Sequence, residues 1–343
     1  MQNINIVDKL NLISKMTFAR FANLVKLHFS YLLSNILSRP IIWGLPISVS
    51  IEPTTACNLS CPECPSGLKS FTRPIGTIRI DAFKQNIEKV YKDSLYLNFY
   101  FQGEPFLHKN FLDMVSYASS KGLYTATSTN AHFLDDETAK KAIQSGLDRL
   151  IVSIDGVTQD VYEQYRIGGN LTKVLEGVSN LVLWKKKLKS RTPMIVFQYL
   201  VVKPNEHQID KAKELAKELG VDDIWFKTAQ VYDHQHDPNN LIPTIDKYSR
   251  YKKLTTGQSI LKSTMKSNCW KMWHSNVITW DGKVVPCCFD KDASHVMGNI
   301  ADNSMKEIWE NSKYNDFRQE LMKGRKNIDI CSNCSEGLKV WAS

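Results

Sequence analysis

The chain has 343 residues, 43% hydrophobic and 23% charged, ordinary values for a globular protein of one large domain or two. Its formal charge is +9, yet no dense Lys/Arg block with interleaved aromatics occurs, so nucleic acid is not an expected partner. Eight cysteines, seven of them in metal-type spacings, point to reduced thiols in a cytoplasmic protein rather than a disulfide scaffold, and residues 1–46 show no signal-peptide pattern.

Residues 9–38 read as one or two helices, with Leu10, Ile13, Phe21, Leu24, Val25, Phe29, Leu32, Leu33 and Ile36 recurring at helical spacing. The most apolar part, residues 27–37, is too short and too polar to span a bilayer. An apolar stripe usually faces a core, so the expectation is a helical segment that docks on the main body and closes one end. Lys9, Lys15, Arg20, Lys26 and Arg39 leave open a basic amphipathic helix lying on a membrane surface.

From residue 47 to 229 strand and helix alternate. Strands are expected over 47–52, 95–102, 123–128, 150–154, 194–202 and 224–228, with helices over 81–92, 111–120, 137–145, 171–187 and 206–219. Gly146 and Gly220 stand where helices should stop. Such alternation implies a parallel sheet covered by helices, with a site at the carboxyl ends of the strands.

Directly after the first strand, Cys57, Cys61 and Cys64 form C-x3-C-x2-C. Zinc sites and ferredoxin clusters normally close with four protein ligands. Three thiols on one loop instead leave one iron of a [4Fe–4S] cube open, although a zinc knuckle would also use such spacing. The loop resembles the signature of the radical S-adenosylmethionine (SAM) superfamily. There the open iron chelates SAM, and an electron from the cluster cleaves it to a 5′-deoxyadenosyl radical. Many members carry an aromatic residue before the third cysteine; here it is Glu63.

The resemblance implies an α/β fold: a partial (β/α)6 radical SAM barrel with a small C-terminal α+β iron–sulfur domain. It also implies SAM contacts at the other strand ends. Gln102-Gly103-Glu104-Pro105 looks like the family's Gly-Gly-Glu motif, with Gly103 and Glu104 near the SAM ammonium. Ser128 and Asn130, in Thr127-Ser128-Thr129-Asn130, would reach the ribose or carboxylate of SAM. Ser153 and Arg166 match contacts of SPASM-type members, Arg166 pairing with the SAM carboxylate. The loop Asp233-His234-Gln235-His236-Asp237 after strand six could face the substrate.

Residues 237–266 read as a linker. Beyond it, Asp281-Gly282 between alternating strands marks a hairpin, and Ser304 to Glu307 forms a capping box opening a helix that runs to Gly324. Cys269, Cys287, Cys331 and Cys334 could hold zinc or a [4Fe–4S] cluster, with Cys288 competing with Cys287. This unit resembles the shortened SPASM, or twitch, domain, which implies one auxiliary [4Fe–4S] cluster. The expected divisions are a helical extension 1–46, a radical SAM core 47–236, the linker, and an auxiliary domain 267–343.

The two-unit layout is similar to that of 2-deoxy-scyllo-inosamine dehydrogenases. It implies an oxidoreductase that oxidises a sugar- or cyclitol-like alcohol and draws electrons from a donor such as flavodoxin or ferredoxin. A peptide-modifying enzyme and a non-catalytic iron–sulfur or zinc protein are the alternatives. No residue pattern identifies the substrate or the general base.

Overall fold

A computed structural model of the chain describes residues 6–262, 267–334 and 341–342. Six parallel strands form the expected series: β1 (Ser48–Ile51), β2 (Tyr96–Asn98), β3 (Tyr124–Thr129), β4 (Arg149–Ser153), β5 (Met194–Val201) and β6 (Asp223–Thr228). They pair in chain order. β3, β4 and β5 are buried on both faces, as a helix-covered parallel sheet requires. The helices over them have local causes. The Asp135 side chain accepts from Thr138 N and opens the helix Asp136–Gln144, and Asn170 does the same for Leu171–Lys187. Gly220, at φ +73°, ends Ile209–Leu219 in the left-handed conformation that glycine adopts without strain.

Strand β2 is shorter than the residue pattern suggests. After Asn98 the chain leaves the sheet: Phe101 packs on Val277 and Val285 of the C-terminal region, and Glu104 N donates to Ala56 O. The 237–266 segment is more than a linker, because it contains an antiparallel hairpin, β7 (Tyr251–Lys253) with β8 (Ser259–Leu261). The helix expected to run from Ser304 to Gly324 is broken in two, Met305–Trp309 and Ser312–Lys323. Its capping box is present, and Asn311 caps the second half by accepting from Tyr314 N.

The main departure concerns the C-terminal unit, which the sequence presents as a separate module. Its hairpin, β9 (Ser275–Ile278) and β10 (Lys283–Val285), joins the barrel sheet. β9 lies parallel to β1, pairing Ser48 with Ser275 and Ile51 with Ile278. β11 (Gly298–Asn299) extends that edge, and β12 (Trp341–Ala342) pairs antiparallel with β6 at the opposite edge. One ten-stranded sheet therefore carries both units.

A buried ion pair reinforces the seam. Arg73 grips Glu52 with two bonds of 2.9 and 2.6 Å, Trp280 N of the hairpin donates to the same carboxylate, and Arg73 Nε donates to Lys291 O. Both side chains are almost fully buried. Removing one partner strands a buried charge, which costs about 3–5 kcal/mol. Glu52→Ala is therefore expected to lower the unfolding free energy in denaturant titrations by about that amount. Glu52→Ala combined with Arg73→Met should cost clearly less than the sum of the single changes.

At the amino ends of the strands lie helices α1 (Ile6–Ser14) and α2 (Phe18–Leu37). They dock there as expected, with Leu27 packed on Ile47 and Leu95 and with an extensive set of polar contacts. Arg20 donates to the carbonyls of Lys15, Gly122 and Tyr91, and Asn23 exchanges bonds with Leu45 and donates to Asp93 O. In α1, Asp8 accepts from Tyr124 Oη and pairs with Arg149. The expected inward apolar stripe instead faces outward.

Candidate active site

The cysteine loop is held by packing at its back and by close backbone approach at its front. Leu59 and Cys61 pack with Tyr165, Val202, Ala229 and Val231, and Cys57 and Cys64 lie against that cluster. The short helix Pro65–Leu68 folds back so tightly that a Cβ on Gly67 would stand 2.5 Å from Cys61 N. Gly103 has φ +78°, and a Cβ there would meet Thr54 O at 2.2 Å; its N–H donates to Ser66 Oγ. Only glycine fits that position, so the chain leaving β2 lies directly on the loop.

A cavity of about 220 Å³ opens at the carboxyl ends of the strands. Cys57, Cys61 and Cys64 line it, and so do all six other residues singled out in the barrel: Gly103, Glu104, Ser128, Asn130, Ser153 and Arg166. The Glu104 carboxylate is occupied with structure. It accepts from Thr129 Oγ1 and Asn130 N, each at 2.7 Å, and from Phe106 N, so it fixes the end of β3. Asn130 Nδ2 donates to Asn58 Oδ1 at 2.7 Å and reaches Cys57 Sγ at 4.0 Å. Ser128 and Ser153 face each other, 3.4 Å between hydroxyls. Arg166 is aimed by the fully buried Asp155, whose carboxylate accepts from its Nε at 2.5 Å, while Nη1 reaches Cys61 Sγ at 3.7 Å.

Burial raises the Cys57 thiol to about 11 and raises Cys61 as well, Arg166 opposing the shift at Cys61. A metal centre that binds these thiols must displace their protons. Among the described residues, no three His, Cys, Asp or Glu side chains stand so as to hold a single metal ion. A four-iron cube differs from a zinc ion in taking each cysteine at a separate corner, and three thiols bordering one cavity suit that donor set.

Sequence reasoning gave no role to several walls of the cavity. Lys227 at the end of β6, Gln198 of β5, Tyr100 beyond β2 and Lys291 from the C-terminal unit all line it. Lys291 donates to Tyr232 Oη at 2.5 Å. Burial lowers Lys227 to about 8, and the nearby cations Arg250, Lys271 and Lys291 act in the same direction. A lone lysine, whether near a strand end like Lys227 or in a loop like Lys291, carries no motif. Glu63, in the place of the family's aromatic residue, accepts from Tyr232 N and ties down the chain after β6. The histidine loop does not border this cavity: His236 pairs with Asp233, His234 stacks on Tyr251, and the segment lines a neighbouring cavity beside β7 and β8.

In the C-terminal unit Cys269, Cys287, Cys331 and Cys334 are all buried, the first three within one cluster with Trp273 and Leu321. Burial raises the Cys287 thiol well above its ordinary value, and the Arg325 side chain bonds Cys331. Cys288 points the other way: it is exposed, 3.7 Å from Lys271 Nζ.

A sequence profile of the radical SAM superfamily matches residues 51–216, and one of the SPASM iron–sulfur cluster-binding domain matches residues 269–335. A tungsten-containing aldehyde ferredoxin oxidoreductase cofactor-modifying protein of Pyrococcus furiosus is 26% identical over 314 residues, covering 83% of this chain and 86% of that protein. A PqqA peptide cyclase of Bradyrhizobium diazoefficiens is 24% identical over 302 residues, covering 80% and 76%. The solved structure of BtrN in complex with AdoMet and 2-DOIA shares the fold, with a TM-score of 0.53 and 18% identity over 86% of this chain and 95% of that one.

The close approach at Gly103 gives a direct check on the loop. Gly103→Ala adds about 1–2 kcal/mol of left-handed backbone strain and a collision with Thr54 O. The expected outcome is a lower melting temperature together with at least tenfold slower formation of 5′-deoxyadenosine from SAM, about the factor that 1.4 kcal/mol represents.

Proposed function

The chain belongs to the radical SAM superfamily and carries a C-terminal SPASM domain, and from that premise we propose that it oxidises a small, sugar- or cyclitol-like alcohol to a carbonyl. The observation that carries this reading is that Lys291 of the C-terminal unit lines the same cavity as the first cysteine set. Cys57, Cys61 and Cys64 form one wall, and Tyr100, Lys227 and Lys291 line the same cavity. When bound, the [4Fe–4S] cluster of the first set and SAM supply hydrogen abstraction, and a cluster at Cys269, Cys287, Cys331 and Cys334 supplies an acceptor for the remaining electron.

The protein residues do the rest. Gly103 brings backbone against the SAM side of the loop, and Ser128, Asn130 and Ser153 offer short polar groups there. Arg166, held by Asp155, presents a fixed cation for the SAM carboxylate. Lys227 accepts the hydroxyl proton as the carbonyl forms: it lines the cavity, and burial brings its ammonium close to neutral pH. Lys291 closes the mouth from the C-terminal side and orients a polar substrate. The buried thiols suit the reducing cytoplasm, where a flavodoxin or ferredoxin would deliver electrons.

Similarity to a peptide cyclase favours peptide modification as a second reading.

The test is anaerobic turnover with SAM and a panel of polyols deuterated at their carbinol carbons, alongside short peptides. The expected result is deuterium in 5′-deoxyadenosine and one equivalent of carbonyl product from a polyol. Turnover of peptides alone would establish the second reading. Lys227→Met should still release 5′-deoxyadenosine but lose carbonyl formation. In the parent protein, carbonyl formation should rise as pH passes about 8, where Lys227 gives up its proton.

A further inference from the structure

The outer face of α1 and α2 is the largest feature the proposed chemistry leaves unused. In α2, Phe18, Phe21, Val25, Phe29, Leu32 and Ile36 recur at spacings of three and four and are all exposed, Phe18 by 87% and Ile36 by 75%. In α1, Ile6, Leu10 and Ile13 continue the pattern, each more than 60% exposed. The buried residues of α2, Arg20, Asn23, Leu27, Ser30 and Ser34, lie on the opposite side, at the same heptad-like spacing. From Phe18 to Ile36 the stripe runs about 27 Å. An apolar face of this extent on a soluble surface marks an interaction site.

Charge identifies the occupant. Asp8 is the only acidic residue in residues 1–46, and it is buried in its pair with Arg149. Lys9, Lys26 and Arg39 beside the stripe are exposed. Two copies packed stripe to stripe would bring these cations together with no exposed carboxylate from the segment to neutralise them. An anionic bilayer offers both an apolar interior for the aromatic and aliphatic stripe and negative headgroups for the lysines and arginine. No helix among the described residues is long and apolar enough to cross a membrane, so the fitting arrangement is one lying in the interface.

We infer that the chain binds the surface of an anionic lipid membrane through the exposed apolar face of α1 and α2. The docking contacts of both helices reach the amino ends of the strands, at Gly122, Tyr124 and Arg149, whereas the cavity lies at the carboxyl ends. On the membrane the cavity opens away from the bilayer, so its substrate arrives from solution.

The experiment is flotation of the full-length, cluster-loaded protein with vesicles of equal parts phosphatidylcholine and phosphatidylglycerol, and with phosphatidylcholine alone. A Phe21→Glu, Phe29→Glu variant changes the stripe and leaves the docking face intact. The expected result is flotation on the anionic vesicles at low salt, weakened by high salt and by removing phosphatidylglycerol. The variant should bind at least about tenfold more weakly, with an unchanged melting temperature. Absence of flotation at low salt would overturn the inference, as would equal flotation of the variant. A stripe-dependent dimer by light scattering without vesicle binding would overturn it in favour of a second copy.

Discussion

Everything in the site depends on the parallel pairing of β9 with β1. β1 is the strand that ends in the cysteine loop, and β9 follows Cys269 and leads through its hairpin to Cys287. Because β1 is flanked by β2 on one side and β9 on the other, the two cysteine sets are fixed to adjacent strands of one sheet. The Glu52–Arg73 pair, at the end of β1, locks the returning loop to the same hairpin and to the backbone at Lys291. That loop is why Lys291, a C-terminal residue, reaches a cavity built on the barrel.

The electrostatics of the cavity follow from this closure. Burial disfavours charge on the Cys57 and Cys61 thiols and on Lys227 alike. Thiols in such surroundings bind a soft metal centre only by releasing protons, and a lysine in them holds its proton loosely enough to exchange it. Arg166 keeps its charge because Asp155 is buried beside it. One low-dielectric cavity therefore supports a fixed cation, an exchangeable proton and thiols reserved for metal, and the neighbours of each group decide which it becomes.

How much of this was legible in the sequence varies by element. β3 to β6 lie close to their expected spans, because their runs are rich in β-branched and aromatic residues that suit a covered strand. β2 was overextended since Phe99 and Phe101 read as strand residues, yet Phe101 is buried against the C-terminal hairpin. The Asp281-Gly282 turn was visible because it is local. The partner of its first strand was not, since four residues say nothing about which sheet edge they will join. The α2 periodicity was correct and its direction was wrong, because Arg20 and Asn23 satisfy so many backbone carbonyls that the polar face is the one that docks. The cysteine spacings and the short strand-end motifs marked residues that do meet in one cavity, whereas Lys227 and Lys291 needed the three-dimensional arrangement.

The central claim is that two separate iron–sulfur centres share this sheet. Iron and sulfide analysis of anaerobically reconstituted protein tests it most directly. About eight irons are expected in the parent chain and about four after Cys57, Cys61 and Cys64 are changed to Ala. About four are expected again after Cys269, Cys287, Cys331 and Cys334 are changed to Ala in a variant that still folds. About four irons with stoichiometric zinc in the parent chain would contradict the claim, because the C-terminal cysteines would then hold a zinc ion and could not accept an electron.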